Sequence, residues 1–258
     1  MELGIIAWIK EEEFKAAKEK GLSFVEIDVN DRDAEFFEHF EQVKLYSQKY
    51  DMPVKAIGRW GINKIVEAGI IDSEFQLECK LIDALHELGG DVYITGCNYL
   101  NHLNFYQNCT LAIQYLKKLV AYAKEKDVKV AIYTCRWNNF ICTEESWNII
   151  LNEVADLYIK YDPSHSIYAG VDYLKEAMNW AHRFAHVHIK GTLIIDGKRF
   201  DDPPAGLDQT DWPSFLSILY VRGYQGGLSI EPHSQLWRDE LGERGVNYTI
   251  RYMKNLMI

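Results

Sequence analysis

The sequence has no long apolar run and no cluster of basic residues. No stretch approaches the roughly 20 apolar residues that a helix needs to span a bilayer. The 28 lysines and arginines are outnumbered by 38 acidic residues, which gives a net charge of −10. Because the affinity of proteins for nucleic acid comes largely from neutralising phosphates, this balance argues against such a partner. We therefore predict neither a membrane partner nor a nucleic-acid partner.

Cysteine and proline are also scarce. The five cysteines form no CxxC pair, and their odd number argues against a secreted disulfide framework. The N-terminal segment MELGIIAWIKEEEF has neither a basic stretch nor a cleavage site, so we expect a cytoplasmic location. With only 6 prolines and no linker-like segment, residues 1–258 are predicted to form a single domain.

Short β-branched or aromatic runs alternate with longer segments of helical periodicity along the whole chain. Strict alternation implies parallel strands joined by right-handed crossovers, and eight such units predict an α/β fold of the (β/α)8 TIM barrel type. A doubly wound sheet is less favoured because no GxGxxG follows the first strand. The predicted strands are residues 3–9, 23–29, 53–60, 91–97, 128–135, 156–162, 184–190 and 227–233. The predicted helices lie near residues 11–20, 32–50, 73–88, 107–126, 144–155, 172–182, 212–222 and 239–255.

The seventh predicted strand carries three basic side chains on one face. In AHVHIKG, His186, His188 and Lys190 alternate with Val187 and Ile189. Helices seal the outside of a barrel, so the apolar pair should face outward and the polar trio should face the lumen, with Lys190 nearest the mouth. Polar side chains buried there require partners.

Two other strands place acidic residues at the same end of the barrel. In DLYIKYDPSH and GLSIEPH, Asp162 and Glu231 take the last or nearly last inward positions of strands six and eight, as His188 does on strand seven. Each residue alone is equally well explained as a helix cap, a solvated group or a core side chain. Together, two carboxylates and an imidazole suit a divalent ion such as Mn2+, Mg2+, Co2+ or Zn2+.

The segments VKVAIYTC, YDPSH, HVHIKG, LSIEPH and AGLDQTDWPSFLSIL, in this order, resemble the xylose isomerase-like TIM barrels. That family includes sugar isomerases and epimerases, inosose dehydratase and endonuclease IV. The resemblance implies that Asp162, His188 and Glu231 bind a divalent metal, with Mn2+ favoured, and that His165 touches the substrate. It implies an isomerase, an epimerase or a related dehydratase acting on a small sugar or sugar derivative, in which Glu231 moves the proton while Lys190 and His165 steady substrate oxygens.

One departure from the family pattern bears on the chemistry. The family usually places a metal-binding, proton-moving Glu on strand five, in a pattern like A-L-E-N-H, whereas this chain has AIYTC with Tyr133 at that inward position. The fourth metal ligand is left open between water, Tyr133 and none. One-base proton transfer is therefore favoured over two-base epimerisation, and a sugar-binding barrel that has lost its chemistry is the alternative. A second alternative is a Schiff-base aldolase that uses Lys160, although Asp162 two residues away favours a buried ion pair.

Three tryptophans follow predicted strand ends, where an aromatic wall could stack on a sugar ring or simply pack the loops. These substrate-binding candidates, considered with Tyr133, are Trp8, Trp60 and Trp137. Glu26 is predicted to play a structural role inside the barrel, and Asp28, nearer the mouth, has no assigned role. The expected partner is a small-molecule sugar, and homo-oligomerisation is left open.

Overall fold

The computed structural model describes residues 1–258, and eight of its strands form one closed parallel barrel. In chain order the strands are β1 (Glu2–Ala7), β2 (Phe24–Asp28), β3 (Val54–Gly58), β4 (Ile65–Val66), β5 (Gly69–Ile70), β6 (Val92–Thr95), β7 (Lys129–Tyr133), β8 (Leu157–Tyr161), β9 (Phe184–Ile189), β10 (Leu193–Ile195), β11 (Lys198–Asp201) and β12 (Gly227–Ile230). The barrel closes in the order β1-β12-β9-β8-β7-β6-β3-β2, and β4-β5 and β10-β11 form separate hairpins. The predicted fold class is confirmed.

Helices follow the barrel strands and cover the outside of the barrel. They are α1 (Glu11–Glu19), α2 (Asp33–Glu38), α3 (Phe40–Tyr50), α4 (Asp72–Glu87), α5 (Phe105–Lys124), α6 (Glu144–Glu153), α7 (Pro163–Tyr168), α8 (Tyr173–Trp180), α9 (Trp212–Val221), α10 (Gln235–Arg238) and α11 (Gly242–Leu256). Thr143 caps the start of α6, because its side chain accepts the N–H of Ser146. None of these helices combines the length and the apolar character that crossing a lipid bilayer requires.

All eight predicted barrel strands are found, but the sequence reading missed several short elements. The segment 32–50 is two helices that meet at His39, and α7 directly follows β8. The hairpin β10-β11 turns at Asp196 and Gly197, both with positive φ, and this Asp-Gly pair is a strong turn signal. These elements are too short to show a periodicity of their own, which is why the pattern of apolar residues did not reveal them.

The strand faces are arranged as the alternation predicts. Val187 and Ile189 are buried in the large apolar core beneath the helices, whereas His186 and His188 are buried within the barrel. The lumen of the barrel therefore holds charged side chains, and these must be paired within it.

Candidate functional site

Asp162 stands at the end of β8 and uses its two carboxylate oxygens differently. Oδ1 accepts the backbone N–H of Ser164 at 2.9 Å and thereby caps α7, whose first residue is Pro163. Oδ2 is buried and has no donor aligned on it as a hydrogen bond. The helix cap thus fixes the carboxylate, and the second oxygen is left for a cation.

Three basic side chains surround Asp162 Oδ2. Lys190 Nζ lies 2.9 Å away, His165 Nε2 3.3 Å and Lys160 Nζ 4.0 Å. Burial alone would raise the pKa of Asp162, but the charges of Lys190 and His165 outweigh it and hold the pKa well below its usual range. Lys190 Nζ is also 3.3 Å from Glu231 Oε2, so its ammonium bridges the two carboxylates.

His188 lies between two carboxylates. Its Nδ1 is 2.9 Å from Glu231 Oε2, and its Nε2 is 2.9 Å from Glu26 Oε1. Burial would lower the pKa of His188, but the charge of Glu26 and the hydrogen bonds with Glu231 and Glu26 raise it to about 9. Glu26 also bonds His186 at 2.7 Å. The buried Glu26 therefore orients both histidines from inside the barrel, in keeping with its predicted structural role.

The cluster of Asp162, His188 and Glu231 fits a divalent ion. Each offers one ligand atom, and these atoms all lie within 4.8 Å of one another. A carboxylate on the far nitrogen of a ligating histidine, as Glu26 is here, is the usual support of a metal site. Asp162 Oδ2, which faces cationic side chains without accepting an aligned hydrogen bond, is a further indication. The ammonium of Lys190 lies against two of these three side chains and would have to share them with an ion.

Aromatic rings fill the other half of the mouth. Trp60, which follows β3, stacks on Tyr133 of β7 with ring centroids 5.5 Å apart. A Cβ at Gly58 would meet the Trp60 ring at 1.8 Å, and one at Gly96 would meet the Tyr133 ring at 2.3 Å. The two glycines thus make room for the rings. This half of the mouth carries no carboxylate from β7.

The hydroxyl of Tyr133 forms hydrogen bonds with the backbone of two neighbouring loops. It donates to the backbone oxygen of Trp137 at 2.8 Å and accepts the N–H of Gly61 at 3.3 Å. Of the options that the sequence left open for a fourth ligand, Tyr133 is therefore not placed to serve. Tyr133 and Trp60 are also almost fully buried, at 1% and 7% exposed, so a substrate could reach little of either ring.

The other two predicted tryptophans lie at the open side of the mouth. Trp8 and Trp137 are 53% and 56% exposed, and both line a cavity of about 550 Å³. Glu231 and Asp28 line the same cavity, and the guanidinium of Arg32 lies 4.4 Å from the centroid of the Trp8 ring. The exposed indoles of Trp8 and Trp137 therefore line the same cavity as the carboxyl groups of Glu231 and Asp28.

A hydrogen-bond network that reaches the same cavity through His233 was not foreseen. The buried Asp202, just after β11, accepts from Tyr168 of α7 at 2.5 Å and from His233 after β12 at 2.6 Å, and it pairs with Arg199. Three successive loops are thereby joined. Sequence reasoning had no signal for this network, because Tyr168 and His233 lie 34 and 31 positions from Asp202 and follow no shared period.

With this geometry in place, comparison with known proteins identifies the family. The family profile described as xylose isomerase-like TIM barrel matches residues 14–256. The chain belongs to this family.

Individual relatives are distant. YfiH of Bacillus subtilis (strain 168), an uncharacterised protein, is 27% identical over 161 residues, which are 54% of this chain and 51% of YfiH. The chain thus spans about half the length of the curated relative that it matches. A D-allulose 3-epimerase from Methylomonas sp., solved with D-allulose, superimposes with a TM-score of 0.81 at 17% identity and covers 100% of this chain and 97% of that chain.

A second solved structure gives a similar result. The 3-keto-D-glucoside 4-epimerase YcjR from E. coli has a TM-score of 0.77 at 17% identity, covering 98% of this chain and 99% of that chain. At these identities the likeness shows the shared fold.

Proposed function

We propose that the protein is an isomerase or epimerase of the family's general type, which transfers a proton next to the carbonyl of a small sugar or sugar derivative. The observation that carries this is the placement of Glu231, at the mouth, within reach of His188 and Lys190 and open to the 550 Å³ cavity. The solved epimerases of the same fold support the substrate class. Cytoplasmic location and the oligomeric state stay predictions.

We assign the binding of a divalent ion to Asp162, His188 and Glu231, and Mn2+ remains the favoured ion among the four considered. When bound, such an ion would polarise a substrate carbonyl and acidify the adjacent C–H. Side chains of the protein would carry out the proton transfer. Burial would raise the pKa of Glu231, but Lys190 and His188 outweigh it and keep the pKa below its usual range, so Glu231 is anionic, which is the form that a general base requires.

Lys190 and His165 are proposed to donate to substrate oxygens. Their nitrogens are 3.4 Å apart and both face Asp162, so a substrate oxygen near Asp162 would meet both. The rings of Trp60 and Tyr133 occupy the side of the mouth where a second carboxylate on β7 would lie. This arrangement favours proton transfer by one base over the use of two opposed carboxylates.

The same aromatic half is the observation that favours the alternative, a barrel that binds a sugar without transforming it. The test is deuterium incorporation from heavy water into a panel of ketoses, aldoses and inososes, in the presence of Mn2+. Incorporation into at least one compound, lost in Glu231→Gln, supports the enzyme. Saturable calorimetric binding with no incorporation into any bound compound supports the binder.

Metal assignment has its own measurement. After loading with Mn2+ and desalting, elemental analysis should give close to one ion per chain for the wild type and much less for His188→Ala and Glu231→Ala. The exposed Glu125→Ala is the matched control and should retain the ion. Equal metal content in all four proteins would contradict the assignment.

A further inference from the structure

Asp28 is a carboxyl of the mouth that the proposed mechanism leaves unused. It ends β2 and takes the inward position one step nearer the mouth than Glu26. Its Oδ1 is buried without a hydrogen-bond partner, and no cationic side chain forms an ion pair with it within 4.0 Å. The residue lines the cavity that Glu231 and Trp8 also line. Buried carboxyls of this kind are unusual, because almost all find a partner.

We propose that Asp28 is the second proton-transferring group of this site, a neutral carboxylic acid that protonates the substrate oxygen while Glu231 removes the proton from the adjacent carbon. This inference rests on the proposed function and supplies what it lacks. Tyr133 has taken the place of the acid that the fifth barrel strand would provide, and Asp28 offers a carboxyl from the second strand instead.

The surroundings of Asp28 favour its neutral form. An ionised carboxylate with an unpartnered buried oxygen is costly, whereas a carboxylic acid in the same place carries no charge. The charged groups that act on it are Glu26 on its own strand, Glu231 on β12, His188 on β9 and Lys160 on β8. Burial, and after it the negative charge of Glu26, raise the pKa of Asp28 above its usual range, in agreement with its unpartnered oxygen.

Arg32, the remaining cation nearby, does not change this balance. Its guanidinium donates to the backbone oxygen of Asp28 at 2.8 Å and lies over the Trp8 ring, so it is turned away from the carboxyl. The carboxyl, with one oxygen that has no partner in the protein, is therefore available to a molecule that enters the cavity.

The proton balance of the step is simple. The Glu231 carboxylate takes the proton from the carbon beside the carbonyl, and the C–H electron pair forms a C=C bond as the carbonyl π pair moves to oxygen. The Asp28 O–H gives its proton to that oxygen, which yields a neutral enediol. The return step protonates the neighbouring carbon from Glu231, and Asp28 takes back a proton from the hydroxyl that becomes the new carbonyl. Both residues end in their starting forms.

The first test needs no activity. We expect the infrared spectrum of the wild type at pH 7 to contain a protonated-carboxyl band that is missing from Asp28→Asn and retained in Asp31→Asn, an exposed neighbour. The folded wild type keeps the Asp28 proton at pH values where the unfolded chain has already lost it. Above the ordinary pKa of an aspartic acid, the free energy of unfolding of the wild type should therefore fall with rising pH more steeply than that of Asp28→Asn. No such band, together with parallel pH profiles of stability, would overturn the neutral acid.

The second test measures the chemical role. With the sugar that shows deuterium incorporation, Asp28→Asn should lower kcat by about 10²-fold or more, the range of general acid catalysis, with KM and Mn2+ content little changed. A wild-type kcat in Asp28→Asn overturns the inference while leaving the proposed function intact. No incorporation in the wild type overturns the proposed function itself, whatever the infrared band shows, and the acid role falls with it.

Discussion

Lys190 holds together the two carboxylates that we assign to metal binding, and replacing it should separate metal affinity from stability. The side chain is 3% exposed, and its ammonium lies 2.9 Å from Asp162 and 3.3 Å from Glu231. Lys190→Met removes the charge and keeps most of the apolar stem. Asp162 then keeps only Lys160 and His165 beside it, and Glu231 keeps only His188.

The expected cost follows from this burial. Removing one partner of a buried ion pair costs about 3–5 kcal/mol, because the remaining charge is left uncompensated. Without metal, the free energy of unfolding of Lys190→Met should fall by up to about that amount, because Lys160 and His188 still compensate part of the two negative charges. Mn2+ should restore much of it, since a ligand at 100 times its Kd stabilises by about 2.7 kcal/mol. The variant should also bind Mn2+ more tightly than the wild type, because no ammonium competes for Asp162 and Glu231.

Urea denaturation followed by tryptophan fluorescence, with and without Mn2+, measures both effects, and calorimetry measures the affinity. The control is Lys129→Met, whose ammonium is 3.7 Å from Asp91 in a pair that is roughly half exposed. Such surface pairs contribute about 0–1 kcal/mol, and metal should not matter. If Lys190→Met were as stable as the control, or if Mn2+ stabilised it no more than the wild type, the reasoning about this cluster would be refuted.

Two further predictions concern other parts of the barrel. A methyl group at Gly96 would overlap the Tyr133 ring, so Gly96→Ala should lose about 1–3 kcal/mol of stability by overpacking. The control is Gly242→Ala, which should lose none, because the new Cβ meets only ordinary contacts. Equal urea midpoints of the two variants would contradict the close packing at Gly96. Lys160 is close to Asp162 and 5.7 Å from the Trp60 ring centroid, so borohydride added with dihydroxyacetone phosphate, pyruvate or an aldose should leave the protein's mass unchanged, whereas an adduct mapped to Lys160 would favour the aldolase.

The barrel was predictable because its information is local. Alternation with period two marks each strand and also says which side chains face the lumen, as with Val187 and Ile189 against His186 and His188. The proline after β8 marks where that strand stops. Convergence of the three strand ends on one mouth then follows from the closed fold rather than from any contact read in the sequence.

The contacts within the site were not predictable, because they join residues far apart in the chain. No pattern says that Glu26 bonds His188 from 162 positions away, or that the ammonium of Lys190 bridges two carboxylates. The ring of Tyr133 was recognised as a departure from the family, but its stacking on Trp60 depends on Gly58 and Gly96, whose small size has no period. Packing of this kind is decided in three dimensions.

The two oxygens of Asp162 have a consequence for judging relatives of this protein. Because Oδ1 caps α7, an aspartate would be retained at this position even in a descendant that had abandoned catalysis, simply to keep the helix start in place. Glu231 caps no helix, and its side chain pairs with His188 and Lys190. When sequences are compared, the aspartate therefore reports mainly on folding. The glutamate is the residue whose loss would signal that the chemistry we propose has gone.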